Sequence, residues 1–215
     1  MDKKDNDKPK RSNNTLRHLD LFSGIGGFAL GLEWAGGFET VAFCDNEPFA
    51  QELLKKRWPN VPIYNDVRTI NEKELGRIDI ITGGFPCQPW SLAGSRKGAE
   101  DDRDLWPEMV SLIEKLQPKW VIGENVRGFV NEPLGLQRTL SDLESIGRKT
   151  IPFIIPAASV GAFHRRERVW IISSLGDSKH NGSLADKIGR GMQQQPKKQE
   201  EQITLWELEG TDSTS

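Results

Sequence analysis

The residue with the clearest chemical potential is Cys87, which lies in the segment Gly83–Ser91 (GGFPCQPWS). The segment follows Ile78–Ile81 (IDII), an apolar run that predicts a short buried strand. Two glycines and two prolines after a strand predict a rigid turn at its carboxyl end, where ligands bind in open α/β sheets. A free cysteine is often just a small buried side chain. This turn instead favours a presented thiol, which needs a nearby cation or helix N-terminus to react as a thiolate.

A carboxylate and a basic segment are candidate partners for this thiol. Glu124 follows the apolar run Trp120–Ile122. Successive strands of a parallel sheet are often neighbours, so we expect Glu124 near Cys87, where a thiol and an acid could share a covalent mechanism. The segment His164–Arg168 (HRRER) is densely positive, and on a strand Arg166 and Arg168 would point to one face to bind phosphate or carbonyl groups. A capping glutamate and a solvated strand edge are the alternatives.

A second set of residues suggests a nucleoside site. The glycine turn Ser23–Gly27 (SGIGG) follows the first predicted strand, so the backbone can approach a ligand at a helix N-terminus. Asp45 ends the second predicted strand and could accept hydrogen bonds from both ribose hydroxyls. Asp66 follows the third and could accept one from an adenine amino group. A tight strand–helix connection and simple caps would explain the same residues.

Alternating strand and helix signals over about 160 residues predict an α/β fold, with a Rossmann-like, doubly wound, mostly parallel sheet. The last two strands have no helix signal between them, which predicts an antiparallel hairpin at one side. We expect a disordered leader over residues 1–15, a catalytic core over 16–175 and a polar disordered tail over 176–215. The predicted strands are Leu16–Phe22, Thr40–Cys44, Ile63–Tyr64, Ile78–Ile81, Trp120–Ile122, Ile151–Ile155 and Arg168–Ser173. The predicted helices are Phe28–Ala35, Glu47–Trp58, Leu105–Leu116 and Leu134–Ile146.

Composition limits the class of protein. Hydrophobic residues make up 36% of the chain and charged residues 28%, with a net charge of -2, which neither demands nor excludes nucleic acid. No apolar run approaches the ~20 residues that span a bilayer, and no signal peptide is evident, so we expect a cytoplasmic protein. Two cysteines offer no disulfide framework. Together with three scattered histidines they predict no metal site.

Together these segments resemble the DNA (cytosine-5) methyltransferase family over about residues 16–174. Asp20–Gly27 (DLFSGIGG) looks like the cofactor-binding first motif of the family, and Gly84–Ser91 looks like its nucleophile motif. Glu124–Val126 (ENV) matches the motif of the catalytic glutamate. Arg166–Arg168 (RER) matches the arginines that touch the target base, although His164 stands where the family usually has glutamine.

The resemblance implies a class I fold that uses S-adenosyl-L-methionine to methylate C5 of cytosine in double-stranded DNA. Cys87 would add to C6 of a flipped-out cytosine while Glu124 holds a proton at N3. Residues 88–104 would form a mobile loop over the base. The implied cofactor-binding residues are Phe22, Gly24, Gly26, Gly27, Asp45, Asp66 and Pro86. The implied substrate contacts are Gln88, Ser91 on a flanking phosphate, Asn125 beside the Pro86–Cys87 segment, and Arg166 and Arg168 at the base.

One part of the family pattern is missing from the sequence. After Leu175 we find neither a target-recognition region nor the final Gly-Asn-Ala-Val-like motif that completes the cofactor pocket in the family. We therefore expect a truncated or split enzyme, bacterial or phage-encoded, with a second chain that supplies target recognition. The alternatives are an inactive S-adenosylmethionine-binding or interaction module and an RNA cytosine-5 methyltransferase. A nicotinamide dehydrogenase would leave Cys87 and Glu124 unexplained.

Overall fold

Short apolar runs form the strands, and each is followed by a helix or a turn. The computed structural model describes residues 15–86, 104–132 and 135–176. The strands are β1 Leu16–Leu21, β2 Phe38–Cys44, β3 Ile63–Tyr64, β4 Ile80–Gly83, β5 Trp120–Val126, β6 Arg148–Pro156 and β7 Glu167–Leu175. The α-helices are α1 Gly27–Ala35, α2 Pro48–Arg57, α3 Glu72–Leu75, α4 Trp106–Leu116 and α5 Leu136–Ser145.

In the described residues the strands form one sheet with the order β3-β2-β1-β4-β5-β7-β6. The pairs from β3 to β5 are parallel, whereas β7 lies antiparallel to both β5 and β6. The predicted antiparallel hairpin is thus confirmed and lies at the β6 edge. The strand order runs outward from β1 to β3 on one side and from β4 to β5 on the other, so it reverses between β1 and β4. Such a switch point is where doubly wound sheets bind ligands.

Helices cover both faces of the central strands, which confirms the doubly wound α/β class. On one face, α4 and α5 supply Met109, Ile113 and Leu143 to a large apolar core. On the other face, Ala29 of α1 and Leu54 of α2 form a smaller buried cluster with Phe43 of β2. No helix of the described residues is long and apolar enough to cross a membrane.

The main differences from the sequence prediction are strand lengths. The fifth strand was predicted to end at Ile122 but continues to Val126. Glu124 therefore lies inside the strand and not after it. Its side chain occupies a half-buried position between two buried residues, where a strand can hold a polar group. In α4, Trp106 is buried and packs against Phe85.

One face of the β5-β7-β6 region is apolar and open. On the edge strand, Ile151, Phe153 and Ile155 are 55%, 44% and 40% exposed, and in register they lie beside Ile172, Trp170 and Arg168 of β7. The opposite face of β7 is buried against the large core. Of the described helices, α1 reaches this face through an edge-on contact of Phe28 with Trp170, with ring centroids 5.6 Å apart. We call these rows of β6 and β7 the open face.

A chain of polar side chains runs through the centre of the sheet beneath the glycine turn. His18 bonds through Nδ1 to Thr40 Oγ1 (2.9 Å) and through Nε2 to Thr82 Oγ1 (2.8 Å). Thr82 Oγ1 donates to Asp20 Oδ1 at 2.7 Å, so its oxygen accepts the proton of Nε2–H and Nδ1 accepts from Thr40. Burial lowers the pKa of His18 to about 3, which keeps the ring neutral.

Asp20 is the unsatisfied end of this chain, because its Oδ2 is buried without a hydrogen-bond partner among the described residues. Burial raises its pKa to about 7, and the hydrogen bond from Thr82 and the backbone N–H of Ala29 only partly offset that effect. A carboxyl whose pKa is raised in the folded state binds protons more tightly there than in the unfolded chain. Stability is therefore lost as pH rises from about 4 through about 7.

We predict that Asp20→Asn stabilises the protein at neutral and alkaline pH. The gain over wild type should grow by about 2 kcal/mol between pH 5.5 and pH 8, since one pKa unit corresponds to about 1.4 kcal/mol. Urea unfolding at both pH values measures it. Thr82→Val should act oppositely and steepen the pH-dependent loss, because it removes the donor to Asp20. A gain that is equal at both pH values would contradict this explanation.

Candidate active site

The parallel pairing of β1, β4 and β5 ends in one row, which sets the position of the whole site, although β5 itself continues to Val126. Leu21 of β1 is in register with Gly83 of β4, and Gly83 is in register with Gly123 of β5. One residue beyond this row lie Phe22 at the start of the glycine turn, Gly84 in the segment that leads to Cys87, and Glu124. The predicted neighbourhood of β4 and β5 is therefore confirmed. Cys87, Gln88 and Ser91, with the rest of residues 87–103, lie outside the described residues.

The glycine turn is shaped by close backbone packing. Phe22, Gly24 and Gly26 all have positive φ, at 53°, 53° and 80°. A Cβ on Gly26 would lie 2.5 Å from the ring of Trp58, so only glycine fits. Gly27 begins α1 with an ordinary φ and open space around its Cα. The turn thus brings Phe22 into the pocket described below and leaves the helix N-terminus accessible.

Asp45 and Asp66 flank this turn but use their carboxylates differently. Asp45 accepts the backbone N–H of Gly24 at Oδ2 (2.7 Å) and that of Glu47 at Oδ1 (2.9 Å). Asp66 caps the short 3-10 helix Val67–Thr69 and is paired with the guanidinium of Arg68. That guanidinium lowers the pKa of Asp66.

These residues surround a cavity of about 320 Å³, within the usual size of small-molecule sites. Its walls combine apolar side chains with two carboxylates and amide groups. The residues that line it are Phe22, Cys44, Asp45, Asn46, Asn65, Asp66, Val67, Arg68, Gly84, Pro86 and Leu105. Gly24, Gly26 and Gly27 shape the adjoining turn and do not line the cavity.

The segment before Cys87 is anchored by a hydrogen bond and an aromatic cluster. Asn125 Nδ2 donates to the carbonyl of Phe85 at 3.0 Å, and both residues are buried. The Phe85 ring packs against Trp106 and Phe129, with centroids 4.7 and 5.5 Å away. The backbone just before Pro86 is therefore held in place from β5.

Glu124 and Arg168 form the ionic centre of the site. Arg168 Nε lies 2.7 Å from Glu124 Oε1, and the two side chains are 23% and 25% exposed respectively. A Cβ on Gly84 would lie 3.3 Å from Glu124 Oε2, so the carboxylate lies against the segment that leads to Cys87. Burial raises the pKa of Glu124 despite the opposing effect of Arg168. The carboxyl thus holds its proton more strongly than an exposed glutamate does.

Arg166 does not occupy the predicted position. The pleat argument that placed Arg166 and Arg168 on one face requires both in a strand, but β7 begins at Glu167 and Arg166 has a φ of 30°. This left-handed conformation lies in the connection that follows the turn Ala157–Val160. The charge of Arg166 still acts on Glu124, whose pKa it lowers less than Arg168 does.

Several lining residues were missed in the sequence, above all Arg68, Asn65, Asn46 and Leu105. The first three follow strand ends in parallel with Asp45 and Asp66, so position alone could have suggested them. Leu105 gave no such signal. Among the described residues, no cluster of three or more His, Cys, Asp or Glu could hold a metal ion.

Solved structures of methyltransferases share this fold. The S. pombe Dnmt2 methyltransferase matches with a TM-score of 0.67 and 24% identity, over 81% of this chain and 55% of that one. A mutant of Spodoptera frugiperda DNMT2 matches with a TM-score of 0.67 and 22% identity, over 78% of this chain and 52% of that one. These matches define the class I methyltransferase fold.

Residues 16–215 match the family described as C-5 cytosine-specific DNA methylase, and the chain belongs to this family. The match extends beyond residue 174, where the resemblance was expected to end. The type II methyltransferase M.HgiBI of Herpetosiphon aurantiacus is 35% identical over 161 residues, or 73% of this chain and 37% of the relative. M.HhaI of Haemophilus parahaemolyticus is 34% identical over 169 residues, which are 75% of this chain and 50% of the relative. The chain thus matches half or less of these relatives' length.

We predict that Gly26→Ala destabilises the protein by about 2–4 kcal/mol, because the added methyl group would meet the Trp58 ring in a left-handed backbone. Gly27→Ala is the matched control in the next position. It has space and an ordinary φ, so we expect a change within about 0.5 kcal/mol. Denaturant unfolding compares the two variants, and equal losses would contradict the packing argument.

We predict that Arg168→Met raises the pKa of Glu124 further, because it removes the main cation that favours the carboxylate. Carbon-13 NMR titration of the glutamate carboxyls measures the change. Arg166→Met should shift the same signal in the same direction by less. An unchanged or lowered pKa in the Arg168 variant would show that the ion pair does not control Glu124.

Proposed function

We propose that this protein transfers a methyl group from S-adenosyl-L-methionine to C5 of cytosine in DNA through a covalent cysteine adduct. The observation that carries the proposal is the row at which the parallel pairing of β1, β4 and β5 ends. It sets the glycine turn and cavity, the segment leading to Cys87, and the Glu124–Arg168 pair at one sheet edge. The description of the family, C-5 cytosine-specific DNA methylase, supports DNA as the substrate.

The cavity suits a nucleoside cofactor by the chemistry of its groups. Asp45 uses one lone-pair position on each oxygen for the Gly24 and Glu47 N–H groups, and can still accept from two neighbouring hydroxyls. Phe22, Val67 and Leu105 supply apolar surface for a flat ring, and Pro86 lines the side toward Cys87. Gly24, Gly26 and Gly27 keep the backbone close to the ligand. S-adenosylmethionine would supply an electrophilic methyl group and leave as S-adenosylhomocysteine.

The residues of this chain prepare the cytosine for that methyl group. The Cys87 thiolate adds to C6 of a base flipped out of the duplex, forming a carbon–sulfur bond. Glu124 provides the proton at N3, so the electron pair of the C5–C6 double bond becomes nucleophilic at C5. After methylation a base takes the C5 proton and the carbon–sulfur bond breaks, which restores the double bond and releases the Cys87 thiolate. N3 returns its proton to Glu124.

Other residues hold the base and the nucleophile. A guanidinium has five donors, so Arg168 can hold Glu124 and also bind the base carbonyl, with Arg166 adding positive charge nearby. Asn125 keeps the Phe85 carbonyl in place and so positions the nucleophile segment. Gln88 would contact the substrate, and Ser91 a flanking phosphate.

We also propose a second chain that supplies target recognition. The open face on β6 and β7 supports this proposal, because it exposes apolar side chains that a partner would bury. We place this assembly in the cytoplasm of a bacterial or phage-infected cell, in restriction–modification.

The adduct is the test of the mechanism. DNA that carries 5-fluorocytosine cannot lose a proton from C5, so with S-adenosylmethionine it should remain bound to the protein on a denaturing gel. We predict no adduct for Cys87→Ala, with cofactor binding retained, and about a hundredfold slower adduct formation for Glu124→Gln.

Cys44→Ala is the matched control because Cys44 is the other cysteine of the chain. It is buried at the wall of the cavity, and burial raises its pKa to about 12, so it stays a thiol. At saturating S-adenosylmethionine its replacement should therefore leave the adduct intact. A folded sample that binds the cofactor but forms no adduct, alone or with a recognition chain, would overturn the catalytic proposal.

A further inference from the structure

Both carboxylate oxygens of Asp66 accept hydrogen bonds from Arg68 in the described structure. Its Oδ1 accepts the backbone N–H of Arg68 (2.9 Å), its Oδ2 accepts an Nη2–H (2.8 Å), and the Nε–H is shared between Oδ1 (2.9 Å) and Oδ2 (3.1 Å). A carboxylate offers about four lone-pair positions. Three N–H groups of one residue, Arg68, therefore occupy most of the acceptor capacity of Asp66.

Asp45 makes the contrast within the same cavity. Each of its oxygens accepts one backbone N–H, from Gly24 and from Glu47. A ligand that forms hydrogen bonds with Asp45 therefore adds to existing contacts. A ligand that forms a hydrogen bond with Asp66 instead competes with the guanidinium contacts of Arg68.

We propose that Arg68 competes with the cofactor for Asp66, so that binding the adenine amino group requires the guanidinium to release the carboxylate. This inference rests on the proposed function and makes Arg68 a determinant of cofactor affinity. It touches the cavity directly but takes no part in the chemistry.

The release is feasible because the pair is exposed. The Arg68 and Asp66 side chains are 54% and 30% accessible, and exposed ion pairs stabilise proteins only weakly. The backbone N–H of Arg68 continues to cap the carboxylate after the guanidinium leaves, so the 3-10 helix keeps its start. A freed Asp66 gains an acceptor position facing the cavity.

The experiment is titration calorimetry of the full chain with S-adenosylmethionine and with S-adenosylhomocysteine. We expect Arg68→Met to bind both about threefold more tightly than wild type, as an exposed pair implies. Raising KCl from 50 to 500 mM should narrow the difference, because salt screens the pair that only wild type has. In an Asp66→Asn background, Arg68→Met should have no effect.

Arg77→Met is the matched control. Arg77 pairs with Asp79 at the same spacing, with 3.0 Å between Nη2 and Oδ2, and does not line the cavity. Its replacement should leave affinity unchanged. Equal or weaker binding by Arg68→Met, or equal tightening by the control, would overturn the inference while leaving the proposed function intact. No binding by wild type or by Arg68→Met would overturn both.

Discussion

The parallel pairing of β1 with β4, and of β4 with β5, is the constraint on which the site depends. It aligns Leu21, Gly83 and Gly123 across the sheet, so the glycine turn, the segment before Cys87 and the polar end of β5 lie side by side although they are distant in sequence. The aligned glycines leave little room: a Cβ on Gly83 would lie 3.1 Å from Met109 and one on Gly123 3.2 Å from Phe85. Helix packing and register therefore fix each other at this row.

The electrostatics of the site reflect a balance between burial and one cation. Desolvation favours the protonated form of Glu124, and the guanidinium of Arg168 favours the ionised form, with burial the larger effect. A fully buried pair would cost more desolvation than attraction returns. At partial exposure the carboxyl can keep or release a proton with modest changes in its surroundings, as a proton carrier must.

Local patterns predicted the elements better than their extents and contacts. Buried runs such as Ile80–Gly83 give a clear signal, so strand order along the chain, the hairpin and the fold class could be predicted. The end of β5 could not be predicted, because Glu124 and Asn125 are polar and gave no apolar strand signal, although both lie within the strand. The conformation of Arg166 depends on the tertiary course of its connection. The capture of Asp66 by Arg68 is a side-chain arrangement, and an Asp-x-Arg sequence does not reveal which groups meet.

The polar chain through the sheet makes His18 a natural spectroscopic reporter. Its hydrogen bonds all run in one direction, from Thr40 through the imidazole and Thr82 to Asp20. Reversing any one of them would require every hydroxyl and ring proton in the chain to move together. The nitrogen-15 shifts of a single buried ring thus report on the core beneath the glycine turn, and they do so without any label placed in the site itself.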